Sequence, residues 1–474
     1  MMTSRALATL AAAACATLVI AAQTPQQPPG GQPPAGQPPA TGEIVITITG
    51  APGLPPKLAV PDFIPLTNDA ETVAAAKTIG QVLWDDLEYE REFYLIARDT
   101  YRTIPQATSI ESVPLDRWKE LNADGLVVGT VQKKGDGVAV QYRLIEVHSG
   151  RSALAKEYTG TARSIQPAEA RLYAHTIADE IHKQQRGLDG VARTKLVFTS
   201  DRDGERVKGP LADRGISNLY LSDYDGARQQ RLTITRASDI SPVWCMDGRS
   251  IVFSSWRSGY QDIYLLFPYD LRRRMENPTH GTAQNQNYLP ACSPDGSKIA
   301  FTSSRDGNPE IYTMNRDGSG VLRVTNHPRI DATPTWSPTG TQLAFTSDRS
   351  GAPQVYVVNA DGTGLRQISF GSHSDRATWS PDPLNEIAYA SRSGAGNDIK
   401  IFEFNTGITR TITDGIGNNE SPAFAPNGRH LAFVSSRAGK EQIFTIARDG
   451  NDIRQITRAG VNRYPNWSAL PRRD

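Results

Sequence analysis

The sequence predicts a multidomain chain: a small α/β N-terminal domain followed by an all-β six-bladed β-propeller closed by a C-terminal strand. Three observations carry this. A unit centred on an aromatic residue recurs at Phe198, Phe253, Phe301, Phe345, Tyr389 and Phe433, with gaps of 55, 48, 44, 44 and 44 residues. A near-constant period of this size marks a repeat architecture with room for four strands per copy. The first strands of the copies are offset from the second strands by one unit, which is how a ring closes. Ahead of the repeats the pattern changes to alternating helix and strand.

In chain order, Arg5 followed by the mostly apolar Ala6–Ala22 reads as a secretory leader over residues 1–22. Cys15 lies inside its apolar core, and apolar residues continue beyond it, which argues against lipid attachment there. Residues 23–42 are rich in Pro, Gln and Gly, have no core-forming side chains, and read as a disordered linker. Residues 43–187 form the α/β domain. Ile44–Ile48 and Leu58–Phe63 read as strands. A helix capped by Asn68 runs from about Asp69 to Glu90, with Val73, Ala76, Ile79, Leu83 and Leu87 as its apolar stripe. Phe93–Ala97 is a strand and Pro114–Leu121 a short helix. Strands follow at Gly125–Val131, Val138–Val147 and Ser152–Thr161, and a helix over Pro167–Gln185 ends the domain. No strand here leads into a Gly-x-Gly-x-x-Gly helix start, so a dinucleotide fold is excluded. Gly187–Val191 reads as a hinge into the propeller, residues 191–474.

Each repeat reads as one object. Pro334-Thr-Trp-Ser337 is a short strand turned by Thr339-Gly340; other copies use Asp247-Gly248, Asp295-Gly296 and Asn427-Gly428 there, residues that tolerate the positive φ of a tight hairpin. A second strand such as Ile299-Ala-Phe-Thr302 follows, then a Ser-x-Arg-x-Gly loop (Ser303–Gly307, Ser347–Gly351, Ser435–Gly439). A third strand such as Glu310-Ile-Tyr-Thr313 leads to Asp-Gly turns at Asp225, Asp317, Asp361 and Asp449. The fourth strands end at Leu232-Thr233, Val324-Thr325, Ile368-Ser369 and Ile456-Thr457. Such a sheet cannot bury both faces alone, so neighbours must stack. Second strands begin with Lys195, whereas first strands begin at Pro242, Pro290, Pro334, Ala377, Pro422 and Pro465. The final Pro465-Asn-Trp-Ser468 therefore belongs to the first blade.

Basic and acidic residues number 51 and 50, and loss of Arg5 with the leader makes them equal. Nothing in this balance points to a nucleic-acid or anionic-membrane partner. Cys245 and Cys292 lie on first strands of adjacent blades at opposite parity, which argues against a disulfide because strand side chains alternate faces. There is no Gly-x-Ser-x-Gly elbow, no P-loop and no His-Glu-x-x-His. His175 and His182, seven apart on one helix, read as core or helix-surface residues rather than metal ligands. Asp201-x-Asp203-Gly and Asp223-x-Asp225-Gly read as turns, since a calcium loop needs further ligands. No cofactor is expected.

Residues present in every blade serve the blade. Arg202, Arg257, Arg305, Arg349, Arg392 and Arg437 are expected to bond loop carbonyls; Trp244, Trp336, Trp379 and Trp467 belong between blades. Function should lie where the copies differ. The N-terminal domain enters on the side of the Asp-Gly turns, leaving the opposite mouth open. The loops crossing to each first strand carry Asp239, Asn287, Tyr288, Asp331, His373, Asp375, Arg376, Glu420, Arg463 and Tyr464, which form the expected partner-binding surface.

Several segments resemble the TolB family of periplasmic propellers in the Tol–Pal envelope system: Gly125-Leu-Val-Val-Gly-Thr-Val131, Arg143-Leu-Ile-Glu-Val147 with Gly150, Ala174–Ile181, Gly190–Thr194, Ser222-Asp-Tyr-Asp-Gly226 and Pro465-Asn-Trp-Ser468. The resemblance spans residues 43–474. It implies a monomeric, periplasmic binding scaffold, peripheral to membranes and not an enzyme. Its implied partners are a peptidoglycan-associated (Pal-like) lipoprotein at the mouth and a TolA-like inner-membrane protein at the mature N-terminal segment. Here a Pro/Gln-rich extension stands where that segment is expected. The alternative from the residues themselves is an exported enzyme or sensor acting on an envelope glycan or peptide, with Asp239, Asp331, His373, Asp375 and Glu420 as its acids and bases. Deleting residues 465–474 should strip the first blade of its inner strand and lower the melting temperature by more than about 10 °C. A truncated chain that melts like the full one would refute this closure.

Overall fold

The computed structural model describes residues 47–206, 215–270 and 272–470. The leader, the Pro/Gln-rich linker and the first three residues of the strand expected at Ile44–Ile48 lie outside these. Thr47 and Ile48 themselves are not strand; the Ile48 side chain is buried and its N–H donates to Gln185 Oε1 at 2.8 Å.

The N-terminal portion is a mixed sheet of β1 (Lys57–Ala59), β2 (Ile64–Pro65), β3 (Tyr94–Leu95), β4 (Gly125–Lys134), β5 (Gly137–Glu146) and β6 (Ser152–Thr161). The order is β3-β1-β4-β5-β6, with β2 beside the far stretch of β4. β1 to β3 pair in parallel, while β4, β5 and β6 form an antiparallel meander. The single strand expected over Leu58–Phe63 is divided into β1 and β2, because Pro61 has no N–H for a ladder. Helices α1 (Ala70–Glu90) and α3 (Pro167–Arg186) cover one face; α2 (Leu115–Glu120) and a 3₁₀ segment (Arg98–Thr103) cover the other. The cap of α1 is Asp69, not Asn68: its carboxylate accepts the Thr72 N–H at 3.0 Å. Val73 also departs from the expected stripe. It is exposed beside β2, and Ala75, Ala76, Ile79, Val82, Leu83 and Leu87 are the buried set.

Six sheets follow. Blade 1 joins Lys195–Ser200, Asn218–Asp223 and Gln230–Arg231 to the last strand, Asn462–Trp467, which pairs antiparallel with Lys195–Ser200. Trp467 Nε1 donates to Thr194 Oγ1 at 2.6 Å, locking the closing strand to the start of the ring. The inner strands start three residues earlier than the prolines suggested, at Asp239, Asn287, Asp331, Ser374, Asn419 and Asn462. The proline or alanine falls at a bulge where pairing skips, so its missing or unpaired N–H costs no ladder bond. Blade 2 has three strands, and an isolated Leu265–Glu276 bridge stands where a fourth would lie. In the Asp-Gly turns glycine is required: at Gly226 φ is +85°, and a Cβ would come within 2.5 Å of Ile456 O.

Cys245 and Cys292 form a disulfide, with Cα atoms 5.2 Å apart, contrary to the parity argument. Parity decides which side chains share a face within one sheet. Blades stack front to back, so side chains meeting across the gap come from opposite faces and have opposite parity. Val252 of blade 2 meets Ile299 and Phe301 of blade 3 in the same cluster as the two cysteines. Trp336 shows the geometry of the position that Cys292 occupies: its Nε1 donates back to Ala291 O of the preceding blade at 3.1 Å.

The N-terminal portion sits on the Asp-Gly turn side, as expected. Arg91 pairs with Asp449 at 3.0 Å and Arg454 with Glu88 at 2.5 Å. One hydrophobic cluster runs from Leu83, Leu87 and Tyr89 through Tyr224 into Ala432 and Trp467. The segment expected as a hinge is clamped. The Val191 N–H donates to Glu90 Oε1 (2.9 Å) and the Ala192 N–H to Asp179 Oδ1 (3.0 Å). Burial pushes the Glu90 carboxyl up to about 7. Both histidines of α3 are buried: His182 Nδ1 lies 3.0 Å from Ala178 O, and His175 Nδ1 lies 2.7 Å from Asp86 Oδ2. Asp86 also accepts from the Tyr224 hydroxyl at 2.7 Å. Asp223, read from sequence as a turn residue, is buried beside His175 and pairs with Lys195.

Burial opposes a charged His175, but Asp86 and Asp223 outweigh it and raise its pKa from 6.5 to about 9. A group raised on folding stabilises fully below its unfolded value, and that stabilisation is lost as pH rises through its folded value. Thermal melts should therefore show a contribution from His175 that is present at pH 6.5 and gone above about pH 9. His175→Gln should flatten this slope; identical slopes would contradict a charged His175.

Candidate partner-binding mouth

The end of the ring away from the N-terminal portion is built from the first three residues of each inner strand. The first residue is a clamp. Asp239 accepts from Arg257 Nη2 at 2.7 Å, Asp331 from Arg349 at 2.6 Å, Asn287 from Arg305 at 3.0 Å and Asn462 from Arg202 at 2.9 Å. Asn419 is 3.4 Å from Arg437. Each guanidinium also donates through Nε to the serine two residues before it, as Arg257 does to Ser255 at 2.9 Å. Each stacks over the aromatic pair of its blade, 4.4 Å from the Tyr220 ring and 4.8 Å from Tyr312. These five arginines thus bond side chains rather than the loop carbonyls expected. Asp239, Asn287 and Asp331, expected at the partner surface, are fully buried in this clamp. An acid or amide at the start of a strand looks the same in sequence whether it faces solvent or the neighbouring hairpin.

The second and third residues face the mouth. The third has a left-handed backbone in all six blades: Ser241, Leu289, Thr333, Arg376, Ser421 and Tyr464 have φ between 51° and 55°. Non-glycine residues held there cost of order 1–3 kcal/mol each. Hydroxyls of the preceding blade help hold three of them: the Leu289 N–H donates to Ser254 Oγ (2.9 Å), that of Thr333 to Thr302 (3.2 Å) and that of Arg376 to Thr346 (3.3 Å). Below this ring, the inner strands surround a narrow channel of about 140 Å³.

Charge is confined to one side of the ring. Blades 2 to 4 contribute Ile240, Ser241, Tyr288, Leu289, Ala332 and Thr333, none of them charged; blades 5, 6 and 1 contribute Asp375, Arg376, Glu420, Ser421, Arg463 and Tyr464. His373 Nε2 stands 3.5 Å from Asp375 Oδ2, and Arg376 lies 4.7 Å over the Tyr464 ring. Glu420 accepts from Asn418 Nδ2 at 2.5 Å and Asn397 Nδ2 at 3.2 Å. Burial raises the Asp375 carboxyl above its ordinary range, against the pull of Arg376 and His373, and the charge of Glu420 adds to the rise. Its Oδ1 has no hydrogen-bond partner among the described residues. Arg463 pairs with Glu441, and burial raises the Tyr288 hydroxyl pKa.

Blade 5 breaks the clamp. Ser374 replaces the acid or amide and donates to Ser391 Oγ at 3.1 Å. Arg392 is left exposed, 3.5 Å from the Ala395 carbonyl. By sequence Arg392 reads as one of the structural arginines; Ser374, alone in a column of Asp and Asn, is the residue that sets its blade apart. It also missed the large apolar side chains of the crossing loops, Ile234 (85% exposed), Phe370 (74%), Ile330 and Ile416.

A family model described as the TolB β-propeller domain matches residues 187–471. The chain belongs to the TolB β-propeller family. A TolB amino-terminal domain model matches residues 44–153. The Tol-Pal system protein TolB of Anaeromyxobacter dehalogenans strain 2CP-C is 32% identical over 283 residues, covering 58% of this chain and 60% of the relative. That of Desulfosudis oleivorans is 30% identical over 270 residues, 56% and 57% of the two chains. The chain thus spans about 60% of the length of these relatives. The crystal structure of TolB from Acinetobacter baumannii superposes with a TM-score of 0.72 at 26% identity, covering 88% of this chain and 98% of that one.

The clamp yields a contrast within one repeat position. Arg349→Ala leaves Asp331 buried and unpaired and should cost about 3–5 kcal/mol in urea unfolding. Arg392→Ala, with no such partner, should stay within about 0.5 kcal/mol of the parent. Equal costs would mean that the guanidinium contributes packing alone.

Proposed function

We propose that this chain is the propeller scaffold of a Tol–Pal system in the periplasm. It docks a peptidoglycan-associated lipoprotein at the open mouth and connects it to a TolA-like inner-membrane protein, supporting outer-membrane integrity and cell division. The observation that carries this reading is the mouth itself: a strained ring of six left-handed residues, flanked by charged side chains in blades 5, 6 and 1 and unobstructed by the N-terminal portion. Left-handed backbone kept in all six blades, and held by neighbouring hydroxyls in three of them, is consistent with side chains aimed for recognition. The exposed crossing-loop apolars supply contact area. The role is binding rather than turnover. Two of the five acids and bases considered for an enzyme, Asp239 and Asp331, are held in buried ion pairs and are unavailable for proton transfer. The segment proposed to engage the TolA-like protein, residues 23–48, lies almost entirely outside the described residues.

Retention of the cognate lipoprotein on immobilised protein tests this. The combined variant Phe370→Ala, Arg376→Glu, Tyr464→Ala should weaken binding at least about 100-fold, as loss of a hot-spot cluster does, with melting changed by only a few degrees. Undiminished retention would remove the mouth from the interface. Asp331→Arg is a poor probe, since it breaks a buried clamp.

A further inference from the structure

Where the end of α1 meets the Asp-Gly turn side of blades 5 and 6, a cleft of about 660 Å³ opens at the end of the ring away from the mouth. We propose that this cleft binds a small phosphorylated sugar.

The repeat shows what is unusual here. At the step from blade 4 to blade 5, the fourth-strand Arg366 lies 4.6 Å over the ring of Phe404. One blade on, the same two positions hold Arg410 and Arg448, so a second guanidinium stands where the ring was. Arg410 donates through Nη1 to the Arg448 carbonyl oxygen at 2.6 Å and through Nε to Glu403 at 3.2 Å. Arg448 reaches back to blade 5, where its Nη1 donates to the buried Glu386 at 2.5 Å. Two further arginines line the cleft. Arg91 pairs with Asp449, and Arg429 Nη2 donates to the last carbonyl of α1, Glu90 O, at 2.8 Å, so the negative end of that helix is capped.

These guanidiniums retain donors. Each has five N–H groups, and Arg410 Nη2, Arg429 Nη1 and the Nε and Nη2 of Arg448 have no hydrogen bond among the described residues. None of those four nitrogens is closed off from solvent, in contrast to Arg429 Nε, which is buried without a hydrogen-bond partner. Glu90, Glu403 and Asp449 share the lining with the four arginines, and burial pushes the Glu90 carboxyl up to about 7, which removes part of its charge at neutral pH. An anion with several oxygens can take donors from both blades together, which is the chemistry of a phosphate. The remaining lining selects the body that carries it. Apart from Ala447 every lining residue is ionisable, and no large aliphatic side chain is present. Such walls give no hold to an acyl chain, whereas Glu403 and Asp449 accept from hydroxyls, which a sugar supplies. The volume is much larger than a phosphate ion needs and is in the range of small-molecule sites.

Equilibrium dialysis of the full protein with radiolabelled glucose 6-phosphate tests the assignment, with glucose, inorganic phosphate and adenosine monophosphate as unlabelled competitors. Saturable binding of the label is expected. Glucose should not displace it, and phosphate and adenosine monophosphate should compete at least about tenfold less well than unlabelled glucose 6-phosphate. Arg410→Gln removes a guanidinium whose carboxylate partner, Glu403, is itself partly exposed. It should weaken binding at least about tenfold, the loss expected with charge-assisted hydrogen bonds, while melting stays within a few degrees. Arg366→Gln, at the same repeat position one blade earlier, should bind like the parent. Absence of bound label, displacement by glucose, competition by phosphate or adenosine monophosphate equal to that of glucose 6-phosphate, an unaffected Arg410→Gln protein, or an equal loss in Arg366→Gln would each overturn the proposal.

Discussion

The buried contact between the hairpin arginine and the opening residue of the inner strand is the constraint on which the rest depends. Its guanidinium satisfies three groups together: the serine hydroxyl of its own hairpin, the acid or amide of the inner strand, and the faces of two aromatic rings. Each ion pair lies in a low-dielectric gap between strands, so removing one member leaves an uncompensated charge. In five blades the pairing holds the first residue of the inner strand, two residues ahead of the bulge; blade 5 keeps the same start and bulge without it.

The same logic explains why variation concentrates where it does. Five blades use the clamp and carry Asp or Asn at the first position, whereas the second and third positions carry side chains of every class. Blade 5 gives up the clamp, which leaves Arg392 without the buried partner its counterparts have. Its four-stranded sheet persists because its second and third strands are longer, Glu386–Ser393 and Gly396–Glu403, and share the largest number of ladder pairs in the ring. The loss of one clamp is offset by backbone pairing, and a charged cluster becomes available at the mouth.

At the other end of the ring, charged groups have a structural role. Glu90, Asp86, Asp179 and Asp223 are buried between the N-terminal portion and the blades; the first three accept hydrogen bonds from across the junction or from the connecting strap, and Asp223 faces His175 across it while pairing with Lys195 of its own blade. Burial works against the charge of Asp223, yet His175 and Lys195 hold its carboxyl well below the ordinary range. A junction of this kind is specific in geometry, because every carboxylate must find its own donors. This is why a segment containing two glycines and reading as a hinge is a fixed strap.

Much of this protein was legible in its sequence. The 44-residue spacing, the turn residues and the offset of first against second strands determine the number of blades and the closure through Trp467, since they depend on local periodicity and chain order. The lengths of β5, β6 and α3 follow from apolar patterning for the same reason. Only the tertiary structure decided which polar residues face solvent. Asp331 and Asp375 occupy neighbouring positions of one repeat, yet one is buried against Arg349 and the other lies at the mouth. The disulfide between Cys245 and Cys292 likewise depends on how separate sheets stack, and parity within a strand cannot report that. Periodicity is a property of one segment, whereas burial and pairing are properties of surfaces that meet only after the ring has closed.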